Sequence, residues 1–435
     1  MKFRPMLFLI AGLTLLACTV LTASAAYIEA EQSQQMTPMA PPQLGAFINI
    51  WLEVGVGNFE PAVAYNSLRD EYLVVWSNTR AGGATKDIYA RRVRGDGTLL
   101  SYWTITHNAN FHNYEPDVAY SPLQDEYLVV WTYDSVITDS DIWAVRVKWD
   151  GSWMGSEFSL GRKDDKQHKP AVVYNGQANE YLVVYQNTWA GGGQDIDAER
   201  VLASDGTPLG WVNIAAGTGY RSSPDVAYNP TSNRYLIAYT FRPTSVLDSG
   251  DIYGKVATWN IGNLSSEIHI CDDANDQNSV ALASSAEEFL SVWADAPSAS
   301  TTEIYARRVG AYGAPQGPSG GFWITGSPGR HDNAPDVATG NGRGYLITWQ
   351  RFEGGLNWDV YGRYTTPGHD NASDAEFPLD NDVKTQMYPV VACTNEGKCL
   401  MAEEDSNTAG GDFDIRGRLV WPYPYHISLP VVVRH

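Results

Sequence analysis

The side chains with the first claim to chemistry are seven acids, one in each copy of a repeated segment: Asp87, Asp141, Asp195, Asp251, Glu303, Asp359 and Asp414. A ring of carboxylates could hold a cation or supply an acid–base pair. Catalysis needs an asymmetric constellation, however, and a group present in every copy belongs to the scaffold. An acid at the head of a strand ordinarily ties down a nearby N–H or hydroxyl. The histidines do not pair at metal-ligand spacing, although His107, His112, His168 and His331 fall between repeats and could converge. The Asp-rich stretches 272–276 and 370–374 are the places for a calcium ion, but neither has the D-x-D-x-D-G frame, so no cofactor is expected. G-x-S-x-G, H-E-x-x-H, G-x-x-x-x-G-K-S/T and C-x-x-C are all missing from the chain.

The elements that would position any site come from the repeat itself. The stretch PAVAYNSLRDEYLVVW…DIYARRV, from Pro61, returns at Pro116, Pro170 and Pro224, and in weaker form at Asn278, Pro335 and Pro389. Seven units at intervals of 54 to 57 residues decide the architecture before any local signal does. Each unit holds four strand candidates, A to D. Strand A is expected to open at the proline, where a missing N–H costs least. Strand B (EYLVVW) is apolar on both faces and must be covered on both. Strand C opens with the acid and carries Ala or Gly three residues on, a small residue expected to make room for the B-strand aromatics Trp76, Trp131, Tyr185, Tyr239, Trp293 and Trp349. Asp96-Gly97, Asp150-Gly151 and Asp205-Gly206 are hairpin turns into strand D.

The last unit runs through strand C and then meets Pro422 and Pro424, so it lacks strand D, while residues 46–60 look like a strand D with no A, B or C before it. Ile48 and Ile50 would complete the last blade. The expected fold is therefore all-β, a seven-bladed β-propeller over residues 46–420 closed by its amino-terminal strand. The remaining segments are a signal sequence (1–25), a flexible leader (26–45) and a tail (421–435). The apolar run after Lys2 and Arg4 ends in Ala23-Ser24-Ala25, and Leu15-Leu16-Ala17-Cys18 offers lipidation of Cys18 as an alternative; either places the repeats outside the cytoplasm, secreted or at the cell surface, with no transmembrane segment in the mature chain.

The units resemble the repeat P-x-V-A-Y-N-x-x-x-N-E-Y-L-V-V-W…D-I-Y-G-x-R-V of secreted bacterial β-propeller proteins. The resemblance implies the fold and export. It leaves the activity open, since propellers carry lectins, hydrolases, lyases and interaction platforms.

The formal net charge of −20 excludes nucleic acid and anionic lipid as partners. In a four-stranded blade the D–A and B–C connections share one end of the ring. Here they carry the aromatic, Arg and His residues that do not repeat: Phe111, His112 and Tyr114; Tyr220 and Arg221; Arg330 and His331; and Trp189, Phe241, Arg242 and Phe352. Packing residues repeat with the blades; these do not, so they are the candidate ligand contacts, suited to stacking on sugar or anchoring a protein. The leading reading is a monomeric binding propeller for a glycan, a cell-wall component or a protein. The competing reading is a glycan-active hydrolase or lyase, sialidase-like, on the same scaffold. Finally, Cys393 and Cys399 replace a Tyr–Tyr pair found in four other A–B hairpins, and a disulfide between them is expected, leaving Cys271 as a buried thiol.

Overall fold

The computed structural model describes residues 42–422, apart from 80–84, 107–110, 137–138, 162–164, 299, 326–328, 341–343, 356, 373–374 and 407–411. The signal sequence, Cys18, most of the leader, His107, part of the 370–374 stretch and nearly all of the tail lie outside the described residues. Among the described residues the regular structure is entirely strand.

Each B strand is covered from two sides, as its composition requires. In the first repeat Leu73 and Val75 pack on Val118, Val129 and Trp131 of the second, while Tyr72, Val74 and Trp76 pack on Leu400, Ala402 and Ile415 of the last. The period-2 alternation of one strand thus feeds two different interfaces. The A strands of successive repeats lie side by side around the axis, and the fold is a β-propeller. The amino-terminal strand Gln43–Trp51 pairs antiparallel with Phe413–Trp421, with Ile48 opposite Gly417 and Ile50 fully buried. It begins three residues before the expected boundary at 46.

The expected count of seven separate blades is corrected. Five sheets have the size of one blade, four of them with four strands and one with five. The strands of the third and fourth repeats form a single eight-stranded sheet. The cause is local: Gln194, at the head of strand C in the third repeat, bridges in parallel to Tyr220, at the head of strand A in the fourth. Nothing in the repeat pattern announces a one-residue bridge.

Two further expectations change. Strand A does not open at its proline but begins three or four residues earlier, as in Asn58–Asn66, His112–Ser121, Lys166–Asn175 and Tyr220–Asn229. The small residue of strand C makes room for strand D rather than for the B-strand aromatics. A Cβ on Gly254 would meet Ile270 at 3.1 Å, one on Gly362 would meet Leu379 at 2.9 Å, and one on Gly417 would meet Ile50 at 2.8 Å.

Other expectations hold. Cys393 and Cys399 form a disulfide and Cys271 is a buried free thiol. The turn glycines Gly97, Gly151 and Gly206 adopt φ of 89°, 92° and 81°, and the preceding aspartates accept the N–H two residues on. Of the repeated acids, Glu303 accepts the N–H of Gly329, Asp414 that of Glu53, and Asp359 the side-chain amide of Asn357. At the opposite end of the ring, the glutamate that opens strand B pairs with an arginine of strand C: Glu71–Arg92, Glu126–Arg146, Glu180–Arg200 and Glu288–Arg308, at 2.6 to 3.0 Å. Each arginine also reaches the following repeat, through Trp149, the carbonyl of Ala203, Trp259 and Asp370 respectively. These glutamates are nearly inaccessible, so losing an arginine would strand a buried charge.

Candidate functional site

The early start of strand A is made possible by a bulge, and the bulge builds the candidate site. The residue before each strand-A proline (before Val280 in the fifth repeat) takes a left-handed conformation: Glu60, Glu115, Lys169, Ser223, Ser279, Ala334 and Tyr388, with φ of 49° to 56°. Pairing with strand B shifts register across the same positions. One extra residue here tips its side chain toward the axis while the strand resumes pairing beyond it. All seven of these residues line a cavity of about 850 Å³ at the axial mouth. The backbone is the same seven times over and the side chains differ, so the chemistry of the mouth is asymmetric.

One arc is acidic and internally bonded. Glu60 Oε2 accepts the N–H of Glu115 at 3.0 Å and the hydroxyl of Ser77 at 2.8 Å. Glu115 Oε2 accepts the N–H of Lys169 at 3.0 Å and the hydroxyl of Thr132 at 2.9 Å. Glu404 accepts the N–H of Glu60 at 2.8 Å, and burial, reinforced by the neighbouring Glu60 carboxylate, pushes its pKa up to about 8. The Lys86 ammonium lies 3.6 Å from Glu60. The other arc offers Ser223, Ser279, Ala334 and the half-exposed ring of Tyr388.

Deeper in the cavity wall stand Asp117, Asp225 and Asp336, from alternate repeats. Each accepts the following N–H of its own strand and one from the next strand A, at Val172, Leu282 and Val391, with the inter-strand bonds at 2.6 to 2.7 Å. Protein surrounds them and pushes their pKa values up to about 7, 8 and 6. With both oxygens engaged, they stitch the inner strands together.

Beside the axial cavity, and sharing Glu115, Lys169, Ser223 and Ser279 with it, a recess of about 590 Å³ opens between the third and fourth repeats. Tyr220 and Gln194, the pair that fuses the two repeats, lie in its wall with Gln186, Thr240, Arg242 and His168. Arg242 is fixed by Nε on the carbonyl of Asp248 (3.0 Å) and Nη2 on Asp276 (3.1 Å). Lys169 is exposed, its Nζ donating to Ser223 Oγ at 2.9 Å. His168 sits between Tyr114 (3.4 Å) and Ser140 (3.0 Å), and burial lowers its pKa, so it is a neutral ring near pH 7.

Of the eleven sequence candidates, Tyr220 and Arg242 meet in this recess. Tyr114 reaches it only through His168. The others are distributed around the ring. Phe111 packs on Tyr133 at 5.1 Å beside the exposed His112. Arg221 is buried over the ring of Phe241, which stacks on Tyr253 at 4.9 Å. His331 accompanies Phe352 around Trp358, with Arg330 paired to Glu353. Trp189 is 39% exposed, apart from the recess. His112, Tyr114, Tyr220, Arg221, Phe241, Arg242 and Phe352 all lie on paired strand rather than on loops, because the bulge lets strands A and B continue past the motif. Sequence reading missed Glu60, Glu115, Lys169, Thr240 and Glu404. The available signal was the position before the strand-A proline, where side-chain identity changes inside an otherwise fixed frame. Among the described residues no group of three or more His, Cys, Asp or Glu side chains is placed to hold a metal ion.

No family model and no curated protein matches this chain. Solved structures do. A protein of unknown function from Dyadobacter fermentans is 12% identical, with a TM-score of 0.50 over 85% of this chain and 100% of that one. The β-propeller domain of the Trilobed protease from Pyrococcus furiosus is 9% identical, with a TM-score of 0.49 over 88% and 100%. The α-L-arabinanase of Penicillium chrysogenum, solved with arabinobiose, is 14% identical, with a TM-score of 0.47 over 87% and 99%. At these identities the likeness is one of fold.

Proposed function

We propose that the chain is an exported binding propeller that takes a glycan at the axial mouth. The observation that carries this reading is the seven-fold repeated bulge with unrepeated side chains: a scaffold needs the backbone seven times, but has no use for Glu, Glu, Lys, Ser, Ser, Ala and Tyr in turn. The recess that adjoins the mouth is lined by hydroxyl, amide and phenol groups together with Lys169, Arg242, His168 and the carboxylate of Glu115, the side-chain set that reads a polyhydroxylated ligand. Its volume is in the range of roughly 300–1,000 Å³ usual for small-ligand sites.

A hydrolase on the same scaffold is the second reading, favoured by one observation, the protonated-range Glu404 beside Glu60 in the cavity wall. Glu404 is 2% exposed and holds a backbone N–H, which suits a structural carboxyl better than a general acid. A glycan array run beside a glycosidase panel separates the two. Retention of an oligosaccharide with no cleavage is the expected result. Cleavage that Glu404→Gln abolishes without loss of retention would replace binding by hydrolysis, and retention of no glycan would overturn the glycan reading.

A further inference from the structure

The repeats act as controls on one another at the recess. The residue after the B-strand aromatic is Ser77 in the first repeat, Thr132 in the second and Thr240 in the fourth. In the first two, the hydroxyl donates to the carboxylate of the ring residue of the same repeat, Ser77 to Glu60 and Thr132 to Glu115. In the fourth repeat the ring residue is Ser223, which offers no carboxylate. Thr240 Oγ1 is buried, in a residue 1% exposed, and has no hydrogen-bond partner among the described residues although it lines the recess. A buried hydroxyl left unpaired is destabilising, so a group that arrives to accept from it is favoured at that position.

Two of the charges around the recess have the sign that such an acceptor requires, while the one carboxylate in its wall, Glu115, is held by the N–H of Lys169 and the hydroxyl of Thr132. Lys169 is the one cation among the seven ring residues. Arg242 is the one cation at its strand-B position, where the other repeats carry Thr79, Asp134, Thr188, Ala296, Phe352 and Ser406. Both border the recess, in a chain whose net charge is −20. We propose that the recess between the third and fourth repeats receives a carboxylate carried by the ligand, set where Glu60 and Glu115 place theirs in the first two repeats, accepting from Thr240 and paired with Lys169 and Arg242. Resting on the glycan reading above, this names the ligand class as an acidic sugar, a uronate or another carboxylated residue, with Tyr220 beside its ring.

The test is an array of oligogalacturonides, oligoglucuronides and sialyl-oligosaccharides, each printed free and as its methyl ester, beside neutral gluco-, galacto- and xylo-oligosaccharides, probed with the full chain and its variants. Binding to at least one free acid is expected, weakened about tenfold or more by esterification, since a charge-assisted hydrogen bond is lost. Lys169→Ala and Arg242→Gln should each lose about tenfold on the same spot, and Thr240→Val several-fold. Lys169 is exposed, so that variant keeps the fold intact if Arg242→Gln does not. Binding confined to neutral sugars, equal binding of acid and ester, or acid binding indifferent to Lys169→Ala would overturn the carboxylate assignment and leave the glycan reading standing. Retention of no sugar would overturn both.

Discussion

At the scale of single residues, the last repeat departs most from its siblings. Where six repeats place a buried aromatic on strand B, it has Glu403, and where four of them set a Tyr opposite that aromatic, it has Arg416. Glu403 is fully buried, its Oε1 3.7 Å from Arg416 Nε, and burial beside Asp380 raises its pKa well above that of an ordinary glutamate. Arg416 is shared among Asp380, Asp382 and Asp405 and lies 4.1 Å from the ring of Phe47. Removing the guanidinium would leave several carboxylates uncompensated. Arg416→Ala is therefore expected to cost about 3–5 kcal/mol. Glu403→Gln, which keeps the size of the side chain and removes only a carboxylate form that burial already disfavours, should change stability by less than about 1 kcal/mol. Urea denaturation of the two variants checks the pair; equal losses would contradict this ordering. The sequence made the cysteine pair of this repeat legible because both members of a Tyr–Tyr pair change together. The Glu403–Arg416 replacement was legible in the same way, since the list of B-strand aromatics ends at six, but its meaning depends on Asp380 and Asp382, which arrive from the preceding repeat and have no fixed spacing to it.

At the scale of elements, the closing strand follows from the phase of the repeat, an orphan strand at one end and a missing one at the other. Its register places Ile50 in the core shared by the last and first repeats. Ile50→Ala is expected to cost about 2–5 kcal/mol. Deleting residues 43–51 would expose the whole edge of Phe413–Trp421 and should leave an unfolded or self-associating protein. Light scattering and calorimetry check this, and a monomeric deletion variant with an unchanged Tm would contradict the closure. The bulge was not legible. A proline marks where a strand loses a donor, and opening a strand is the ordinary way to tolerate that. A left-handed residue just before it, with pairing resumed on the far side, satisfies the same constraint and leaves no mark in the composition.

At the scale of the whole molecule, seven repeats give a ring whose two ends do different work. At one end, the Glu–Arg pairs of strands B and C recur in four repeats and bind each of these to the next. At the other, the seven bulges recur in backbone but not in side chain, and the third and fourth repeats are fused at Gln194 and Tyr220 beside the recess. The expectation that ligand contacts lie at the D–A and B–C end follows from unequal connections, which the sequence shows directly; the gathering of Lys169, Tyr220, Thr240 and Arg242 depends on register and on a single bridge, which it does not. Hydrogen–deuterium exchange of the full chain, with and without a saturating oligosaccharide retained on the array, tests the central claim most directly. Protection is expected at residues 113–117, 168–172, 220–225 and 239–242, with none at the A–B turns 66–70, 121–125, 175–179 and 229–233. Protection confined to those turns, at the opposite end of the ring, would contradict it.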